Sequence, residues 1–533
     1  MMSTEFDAIV VGGGHNGLVA GAYLSRAGLS TLVVERRDVA GGLTAPVEYF
    51  PGYTASITNS PGSLEPIIVH ELKLVRFGLD FLKPDPALVF PFPDGRKFIG
   101  WRDRAKTFEE LAQFSRHDAE RYDEFFAYLE EFATLLNANI FEAPPTFAEM
   151  TRNIDNPRAE EMFAKIMFGS VQSLVDEWFE SDEVKALIAS VAIVANLAGP
   201  RSPGTVQRLL ARPLSIASSP LGSSDDPRRQ VMRGSTGLPR GGMGAIATAM
   251  TASFTAAGGT LIVGTGVESV LVAGDRVTGV ALTDGREFFA PVVLSNLNPK
   301  TTLLDLVPRE AVPADFRDRV DKLPMNGSAF KVGLALSEMP RFAAANDDDE
   351  AVKMAGCQFR IAPSLDYVEA AYDDAKRGRP SAGPMLWGLT PSVMDPSVAP
   401  EGKHIMSVNV FHAPYDLEGA DWATERDRYG RHCIDVLDQY IPNLKSSIID
   451  ARFWSPRDLE DEYGLIGGNI THGDTMPSNM FSFRPLPGAS DYRTPVAGLY
   501  LCGSGSWPGG SVSGVPGRNA AQTALHDIRV GEK

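Results

Sequence analysis

The sequence predicts an α/β fold that begins with a Rossmann-type nucleotide-binding unit. A short apolar run, Asp7 to Val11, leads directly into the glycines of GGGHNG, and a helical stretch and a second apolar run, Thr31 to Val34, follow. Further glycine-rich segments come after that second run and near the C-terminus. Short apolar runs that end in glycine are typical of buried parallel strands. The chain is therefore expected to form a parallel sheet with helices packed against it.

Length and composition narrow the class of protein. The 533 residues allow two or three domain-sized units, and 44% apolar with 22% charged residues is typical of a globular chain. A net charge of −17 repels phosphate backbones, so nucleic acid is not expected as a partner. Three distant cysteines and the scattered histidines offer neither a redox dithiol nor a metal cluster. No metal is therefore expected.

Nothing in the sequence predicts a membrane span. The longest apolar stretch, Leu187 to Ala198, is too short to cross a bilayer as a helix and is interpreted as a buried helix. The first residues lack the basic and apolar regions of a signal peptide. A cytoplasmic location is therefore expected. Peripheral contact with a membrane is left open, because a hydrophobic substrate could require an apolar entrance.

The opening βαβ unit has the pattern of a dinucleotide site. Gly12 permits the tight turn, Gly14 lets the backbone approach a pyrophosphate, and Gly17 lets the helix pack on the strand. The helix N-terminus offers N–H groups and a partial positive charge to the phosphates. Glu35 ends the second strand, where its carboxylate can accept hydrogen bonds from a ribose. Arg36 follows it and weakens the case against a 2′-phosphate.

Two further glycine blocks favour FAD over NAD as the cofactor. The first contains Gly41 and Gly42, and the second is the C-terminal segment GLYLCGSGSWPGGSVSGVPG. The C-terminal segment is expected to be a buried strand that runs into glycines and then into a helix. In a flavin site such a helix N-terminus would face the ring edge on which reduction deposits charge. FAD is long, so main chain from both ends of the sequence can converge on it.

These segments resemble the phytoene desaturase and flavin amine oxidase superfamily, and GGNITHG resembles its phytoene dehydrogenase-like group most closely. The resemblance implies a Rossmann-type FAD-binding domain of the GR2-like flavoprotein class, with an interleaved α+β substrate domain. The expected FAD-binding domain is discontinuous and comprises residues 1–75, 231–300 and 485–533. The expected substrate-binding domain comprises residues 76–230 and 301–484, with a helical part at about 101–200 and a sheet part.

The same resemblance implies which residues contact the cofactor. Gly12, Gly14, Asn16 and Gly17 would bind the pyrophosphate, with His15 shaping their loop. Glu35 would bind the ribose, with Arg36 beside it, and Gly41, Gly42 and Leu43 would flank the flavin chain together with Thr44. Val267 would lie against the adenine, Gly503 and Ser504 would meet the phosphate–ribityl portion, and Val515 would lie near the ring. Many related flavoproteins have Gly-Asp where this chain has Gly503-Ser504, so a carboxylate contact to the ribityl is lost here.

His472 is the candidate for proton transfer. It stands in a polar loop bordered by glycines, GGNITHGD, and the nearby Asp474 is expected to raise its pKa or to orient its ring. The alternative is a structural histidine that satisfies backbone groups of the loop.

The helical segments between the expected cofactor pieces have an apolar face. Val184, Leu187, Ile188, Val191 and Val194 repeat at helical spacing. They are interpreted as core residues, and the alternative is that some of them line an apolar substrate tunnel.

The expected function is an FAD-dependent dehydrogenase or desaturase that passes a hydride from a hydrophobic substrate to flavin N5. The alternatives are an FAD-dependent isomerase without net oxidation and an FAD-stabilised protein that acts by binding a partner. The expected partner is a hydrophobic small molecule. The electron acceptor, and whether the chain forms a homo-oligomer, are left open.

Overall fold

A computed structural model of the protein describes residues 4–59, 63–219 and 237–531. Its α-helices, in chain order, are α1 His15–Arg26, α2 Pro66–Glu71, α3 Arg104–Ala112, α4 Arg116–Leu135, α5 Phe147–Met150, α6 Pro157–Met167, α7 Val171–Trp178, α8 Asp182–Ala192, α9 Ala211–Ser218, α10 Gly244–Ala256, α11 Ala314–Asp321, α12 Asp348–Ala355, α13 Leu365–Lys376, α14 Trp422–Asp438, α15 Leu444–Ser447, α16 Pro456–Tyr463 and α17 Val515–Val530. Its strands are β1 Ala8–Val11, β2 Thr31–Val34, β3 Val47–Phe50, β4 Tyr53–Ala55, β5 Phe81–Leu82, β6 Leu88–Pro91, β7 Lys97–Gly100, β8 Leu238–Pro239, β9 Thr260–Ile262, β10 Val267–Ala273, β11 Arg276–Leu282, β12 Glu287–Phe289, β13 Val293–Ser295, β14 Ala329–Leu336, β15 Gln358–Ile361, β16 Met385–Leu389, β17 His404–Phe411, β18 Ile448–Trp454 and β19 Leu499–Leu501.

A five-stranded parallel sheet carries both ends of the chain. Its strand order is β19-β13-β1-β2-β9, and every neighbouring pair is parallel. Every residue of β1, β2, β13 and β19 is buried, and helices α10 and α17 pack on α1. Continuous apolar runs suit strands that are covered on both faces, so the predicted parallel sheet is confirmed. All five strands end at one edge, which gathers the segments after β1, β2, β13 and β19.

A seven-stranded sheet forms the second large layer. Its order is β18-β14-β17-β16-β15-β6-β7, with antiparallel pairs except for β15 and β6. On β14, Phe330 and Val332 face a cluster with helix α14, while Ala329 and Ala335 face the β3–β4 hairpin. Because both faces are covered, all eight residues of β14 are buried. The runs SAFKVGLAL and HIMSVNVF contain β14 and β17 and have the short, bounded apolar pattern typical of strands.

The segment between residues 104 and 218 is mainly helical, from α3 to α9. Its aromatic residues and the apolar residues of α8 join one core with α1, α10 and α17. Within the part expected to be helical, at about 101–200, the last three helices are α6, α7 and α8, and α8 ends at Ala192. The division into two domains with the boundaries given above stays a prediction, and its boundary at 230/231 lies outside the described residues.

A small antiparallel sheet, β10-β11-β12, lies beside the parallel one. It brings Val267, the first residue of β10, to the edge at which the parallel strands end. Across the described ranges, none of the helices has both the length and the apolar composition that a transmembrane segment needs.

Candidate active site

A cavity of about 530 Å³ lies where the two large sheets and helix α8 meet. Its walls come from the loop after β1, the residue after β2, the start of β10, the C-terminal glycine block and the face of the seven-stranded sheet. Of the predicted cofactor residues, those in its walls are Gly12, Gly14, His15, Glu35, Arg36, Gly42, Leu43, Val267 and Ser504. Those outside the walls are Asn16, Gly17, Gly41, Thr44, Gly503 and Val515. Their roles toward the cofactor stay predictions.

The two ends of the chain meet at the first turn of α1. Asn16 Nδ2 donates a hydrogen bond to Ser504 Oγ at 3.3 Å, and the His15 ring lies 3.2 Å from the carbonyl oxygen of Ser511. A Cβ at Gly517 would lie 2.1 Å from the carbonyl oxygen of Asn16, so α17 packs directly on α1. The convergence that the FAD interpretation requires is therefore present.

The glycines after β1 permit close packing of main chain. Gly12 has a φ of +90°, which favours glycine, and a Cβ at Gly17 would lie 2.1 Å from its carbonyl oxygen. Gly41 donates a backbone hydrogen bond of 2.7 Å to Gly13. A Cβ at Gly14 would lie 2.6 Å from Asn296 Nδ2. These contacts present backbone rather than side chains to the cavity.

Asn296 was missed by the sequence analysis. It follows β13, lines the cavity beside the first glycine loop, and donates through Nδ2 to the carbonyl oxygen of Gly12 at 3.3 Å. The signal was available, because the strand APVVLSN ends in polar residues at the same sheet edge as the strand before Gly12.

Glu35 is buried and held by backbone donors. Its carboxylate oxygens accept hydrogen bonds from the N–H groups of Gly13 and Arg37, both at 2.9 Å. Arg36 donates instead to the carbonyl oxygen of Glu462 at 3.1 Å, near the end of α16. The Glu35 carboxylate is therefore fixed in the cavity wall, with accepting capacity left on each oxygen.

The residues present fit FAD. Helix α1 begins in the cavity wall at its glycine N-cap, Gly14, and no described side chain caps it. Helix α17 begins at Gly514, outside the walls, and the N–H of Val515 donates to Ser513 Oγ at 3.2 Å. The Oδ1 atom of Asn16 is buried without a hydrogen-bond partner among the described residues. Unclaimed helix N-termini stabilise anionic phosphates and developing negative charge. A pyrophosphate and a reduced flavin require this chemistry.

His472 lies in the cavity wall, but Asp474 does not assist it. The Asp474 carboxylate accepts from the N–H groups of Asn326 and Gly327 at 2.9 and 3.0 Å and from Asn469 Nδ2 at 2.9 Å. The prediction that Asp474 raises the His472 pKa or orients its ring is therefore wrong, because the carboxylate is held by Asn469 and by the distant segment 326–327 instead. Burial, followed by the charges of Arg484 and His15, lowers the pKa of His472 to about 4.

The ring of His472 can accept a proton. Its Nδ1 is buried without a hydrogen-bond partner among the described residues. Since its pKa lies near 4, the imidazole is neutral at neutral pH.

Arg484 fixes the His472 loop against the C-terminal block. It is fully buried, and its Nη2 donates to the carbonyl oxygens of Thr471 and Ser504, both at 2.7 Å. Its Nη1 donates to the carbonyl oxygen of Asp474 at 3.1 Å. One side chain therefore connects the loop of the candidate base to the segment that contacts α1.

A row of four cavity-facing side chains crosses the seven-stranded sheet. Lys331 on β14 is paired with Asn409 on β17, Asn409 with Trp387 on β16, and Trp387 with Arg360 on β15. All four line the cavity. We call Lys331, Asn409, Trp387 and Arg360 the polar row, and sequence reasoning identified none of them.

Lys331 is the most buried charged side chain of the polar row. Its Nζ donates only to neutral groups, Asn59 Oδ1 at 3.1 Å and Asn409 Oδ1 at 2.9 Å. Burial holds its pKa well below the usual range for lysine, which favours the uncharged amine. A lysine inside the apolar run SAFKVGLAL was the available signal.

The apolar face that includes α8 contains both core residues and residues that line the cavity. Val184, Leu187 and Ile188 are buried in the core, whereas Val191 and Val194 line the cavity. Helical spacing predicted that these residues share one face. The first part of α8 packs in the core, and its C-terminal end, at Ala192, lies beside the cavity.

One group of described residues has the spacing of a cation site, namely His117, Asp118 and Glu180. The Asp118 carboxylate already accepts backbone hydrogen bonds of 2.8 Å from Glu180 and Ser181. Its observed role is to cap the turn before α8, outside the cavity walls.

Comparison with known proteins supplies the family. The model described as flavin containing amine oxidoreductase matches residues 17–525. Pyridine nucleotide-disulfide oxidoreductase domain-containing protein 2 of Rattus norvegicus is 32% identical over 562 residues, covering 99% of this chain and 94% of that protein. Phytoene desaturase (lycopene-forming) of Pseudescherichia vulneris is 25% identical over 528 residues, covering 97% of this chain and 98% of that protein.

A solved structure of putrescine oxidase bound to putrescine shares the fold. Its TM-score is 0.63 at 14% identity, and the match covers 99% of both chains. The predicted GR2-like flavoprotein fold and the FAD cofactor are confirmed. The chain belongs to the flavin containing amine oxidoreductase family, and it is an FAD-dependent oxidoreductase.

Proposed function

We propose that the protein dehydrogenates or desaturates a C–C or C–N bond of a hydrophobic organic substrate. The observation that carries this proposal is the composition of the cavity walls. One part of the wall is glycine backbone with Glu35, and another part is apolar, with Val191, Val194 and Phe411. This division of the wall would let a cofactor and an apolar substrate share one enclosure. The desaturase among the relatives supports the same reaction class.

The residues that would hold FAD come from both ends of the chain. The backbone at Gly12 and Gly14 and the N-terminus of α1 would hold the pyrophosphate. Glu35 would hold the ribose, and Ser504 with the N-terminus of α17 would lie toward the flavin. When bound, FAD supplies the hydride acceptor.

Loss of a hydride from a carbon must be accompanied by loss of a proton. Lys331 and His472 are the candidate acceptors, because both line the cavity and burial favours the neutral form of both. A neutral amine or imidazole accepts a proton at its nitrogen lone pair. The apolar wall keeps water from the reacting bond.

The first test is cofactor content. Purified protein should be yellow, and anaerobic titration with dithionite should bleach the visible flavin band with one two-electron equivalent per chain. A colourless protein that takes up no FAD on reconstitution would remove the basis of the proposal.

The second test is the reaction itself. Anaerobic mixing with a panel of saturated apolar acids, alcohols, amines and hydrocarbons should identify compounds that bleach the flavin. Mass spectrometry should then find a product lighter by two hydrogens. A product of unchanged mass, formed over many turnovers without an added acceptor, would replace dehydrogenation with isomerisation.

A further inference from the structure

Arg360, at one end of the polar row, has no partner that matches its charge. Its Nε and Nη1 atoms are buried without a hydrogen-bond partner among the described residues, and its Nη2 lies 3.5 Å from Gln358 Oε1. The guanidinium stacks over Trp387, with Cζ 3.9 Å from the ring centroid. Stacking fixes the plane of the guanidinium and leaves its N–H groups available at the cavity wall.

Arg208 adds a second positive charge to the same cavity. It lies in the 3₁₀ helix Thr205–Leu210 and lines the cavity. No ion pair joins it to a described carboxylate, and its charge lowers the pKa of Arg484. Two like charges facing one enclosure raise its positive potential.

The lack of carboxylate partners is notable in so acidic a chain. Asp and Glu outnumber Lys and Arg by 67 to 50, and the half-buried Arg518, for example, is paired with Glu71 at 3.0 Å. Two carboxylates do line the cavity. Glu35 is held by backbone N–H groups, and Glu65 accepts from Ser215 Oγ at 2.7 Å. Neither has an ion pair with Arg360 or Arg208 in the described residues.

Arg360 keeps its charge where it lies. Burial lowers its pKa only to about 10, so the guanidinium is protonated at neutral pH. A buried cation without an anion is unfavourable, and the planar fork of arginine matches the two oxygens of a carboxylate. An ammonium group would be repelled, and a pure hydrocarbon would leave the charge uncompensated.

We propose that the substrate has a carboxylate on an apolar body, and that Arg360 binds this carboxylate, with Arg208 adding to the positive potential of the same cavity. This inference rests on the proposed function, because it names the substrate class of the same cavity. The apolar body would lie along Trp387, Phe411, Val194 and Leu209, which also line the cavity.

The polar row also sets where the reacting bond lies. Lys331 and Arg360 are three strand spacings apart, which is about 14 Å between backbones. With the carboxylate at Arg360 and the proton acceptor at Lys331, the oxidised bond lies along the apolar body and away from the carboxylate.

The test compares acids with their neutral amides on the FAD-loaded protein. Decanoate and 4-phenylbutyrate are each titrated beside decanamide and 4-phenylbutyramide, and binding is followed by the flavin difference spectrum and by calorimetry. Each acid should bind at least about tenfold more tightly than its amide, as expected for a charged hydrogen-bonded pair. Decylamine should bind more weakly than decanamide.

Variants of Arg360 locate the contact. Arg360→Gln should raise the Kd of both acids about tenfold and leave the Kd of the amides unchanged. Arg360→Lys keeps the charge without the fork, so its Kd should lie between those of the wild type and Arg360→Gln. The control is Arg379→Gln, because Arg379 is exposed and pairs with Glu418 on the surface. Arg379→Gln should change neither the Kd of the acids nor the Kd of the amides.

Three results would overturn the inference. They are acids that bind no tighter than their amides, an Arg360→Gln variant with unchanged acid binding, and an Arg360→Gln variant that loses FAD. The last result would assign Arg360 to the cofactor. In all three the wild type stays yellow and reducible, so they are distinct from failure of the proposed function, in which the wild type itself takes up no FAD.

Discussion

The glycine loop after β1 and the polar row of the seven-stranded sheet line the same cavity with different chemistry. The loop presents backbone, and its glycines admit contacts that any Cβ would block, such as the one between Gly17 and the carbonyl oxygen of Gly12. The polar row presents side chains from four strands, and two of them, Lys331 and Arg360, carry nitrogen groups that burial disfavours as cations. Substitutions in the glycine loop should therefore affect FAD retention. Substitutions in the polar row should affect substrate affinity and the rate of flavin reduction.

The largest expected effect is in the loop. Gly14→Val should lose essentially all bound FAD, because its Cβ would lie 2.6 Å from Asn296 Nδ2 and its methyl groups would enter the cavity. The measurement is flavin absorbance per chain after gel filtration. Ala256→Val adds a branched side chain at an exposed helix end and should keep its flavin. A yellow Gly14→Val protein would break the assignment of the loop to the cofactor.

The next effect is in the polar row. Lys331→Met should retain FAD but slow substrate-driven flavin reduction about 10²–10³-fold, the contribution of a general base. Since the base acts when deprotonated, the wild-type rate should rise with pH through a pKa well below the usual lysine range, and the variant should lose that rise. Stopped-flow reduction over a pH series measures both. Lys322→Met, on the surface, is the control, and an unchanged rate in Lys331→Met would reject the base.

Acid sensitivity should be common to both regions. Burial lowers the pKa of His15 in the loop and of His412, which follows β17, to about 4 in each case. Between the unfolded value near 6.5 and the folded value near 4, the unfolded chain binds more protons, so stability falls as pH falls through that window.

The matching experiment is urea unfolding at pH 7 and pH 5. His412→Asn should remove about 2 kcal/mol of the stability difference between the two pH values. His526→Asn, at an exposed position, should leave the difference unchanged. If His412→Asn shows the same stability difference between pH 7 and pH 5 as the wild type, burial does not lower the pKa of His412.

The smallest expected effect is at His472, which lies between the two regions. His472→Ala should retain FAD and slow flavin reduction about tenfold, less than a full general-base contribution, because Lys331 remains. His526→Ala is the matched control in the same stopped-flow assay. If His472→Ala is as slow as Lys331→Met, His472 is the main proton acceptor, and the reaction rate depends on the loop that carries His472 as much as on the polar row.

The two regions also differ in what the sequence reveals. GGGHNG is contiguous, and its strand–glycine–helix order is readable without coordinates, so the parallel sheet and the meeting of the chain ends could be predicted. Lys331 and Arg360 become neighbours in one row only through the register of four strands, which no local pattern encodes.

Local reasoning also failed where the backbone turns sharply. Asp474 stands two residues from His472, but Gly473 between them has a φ of +129°, and the carboxylate reaches Asn326 and Gly327 instead. Proximity in sequence did not give contact. The spacing of Val191 and Val194 likewise predicted a shared helix face but could not decide between core and cavity wall, and α8 ends at Ala192, before Val194.

The order of strands in the parallel sheet affects how the protein is made. β1 comes from residues 8–11 and β19 from residues 499–501, and α17 packs on α1 only after both exist. During synthesis, α1 must therefore wait for almost the entire polypeptide to leave the ribosome before its partner arrives. A chain terminated before residue 499 would lack the Asn16–Ser504 contact, and flavin uptake would report whether translation had reached that point.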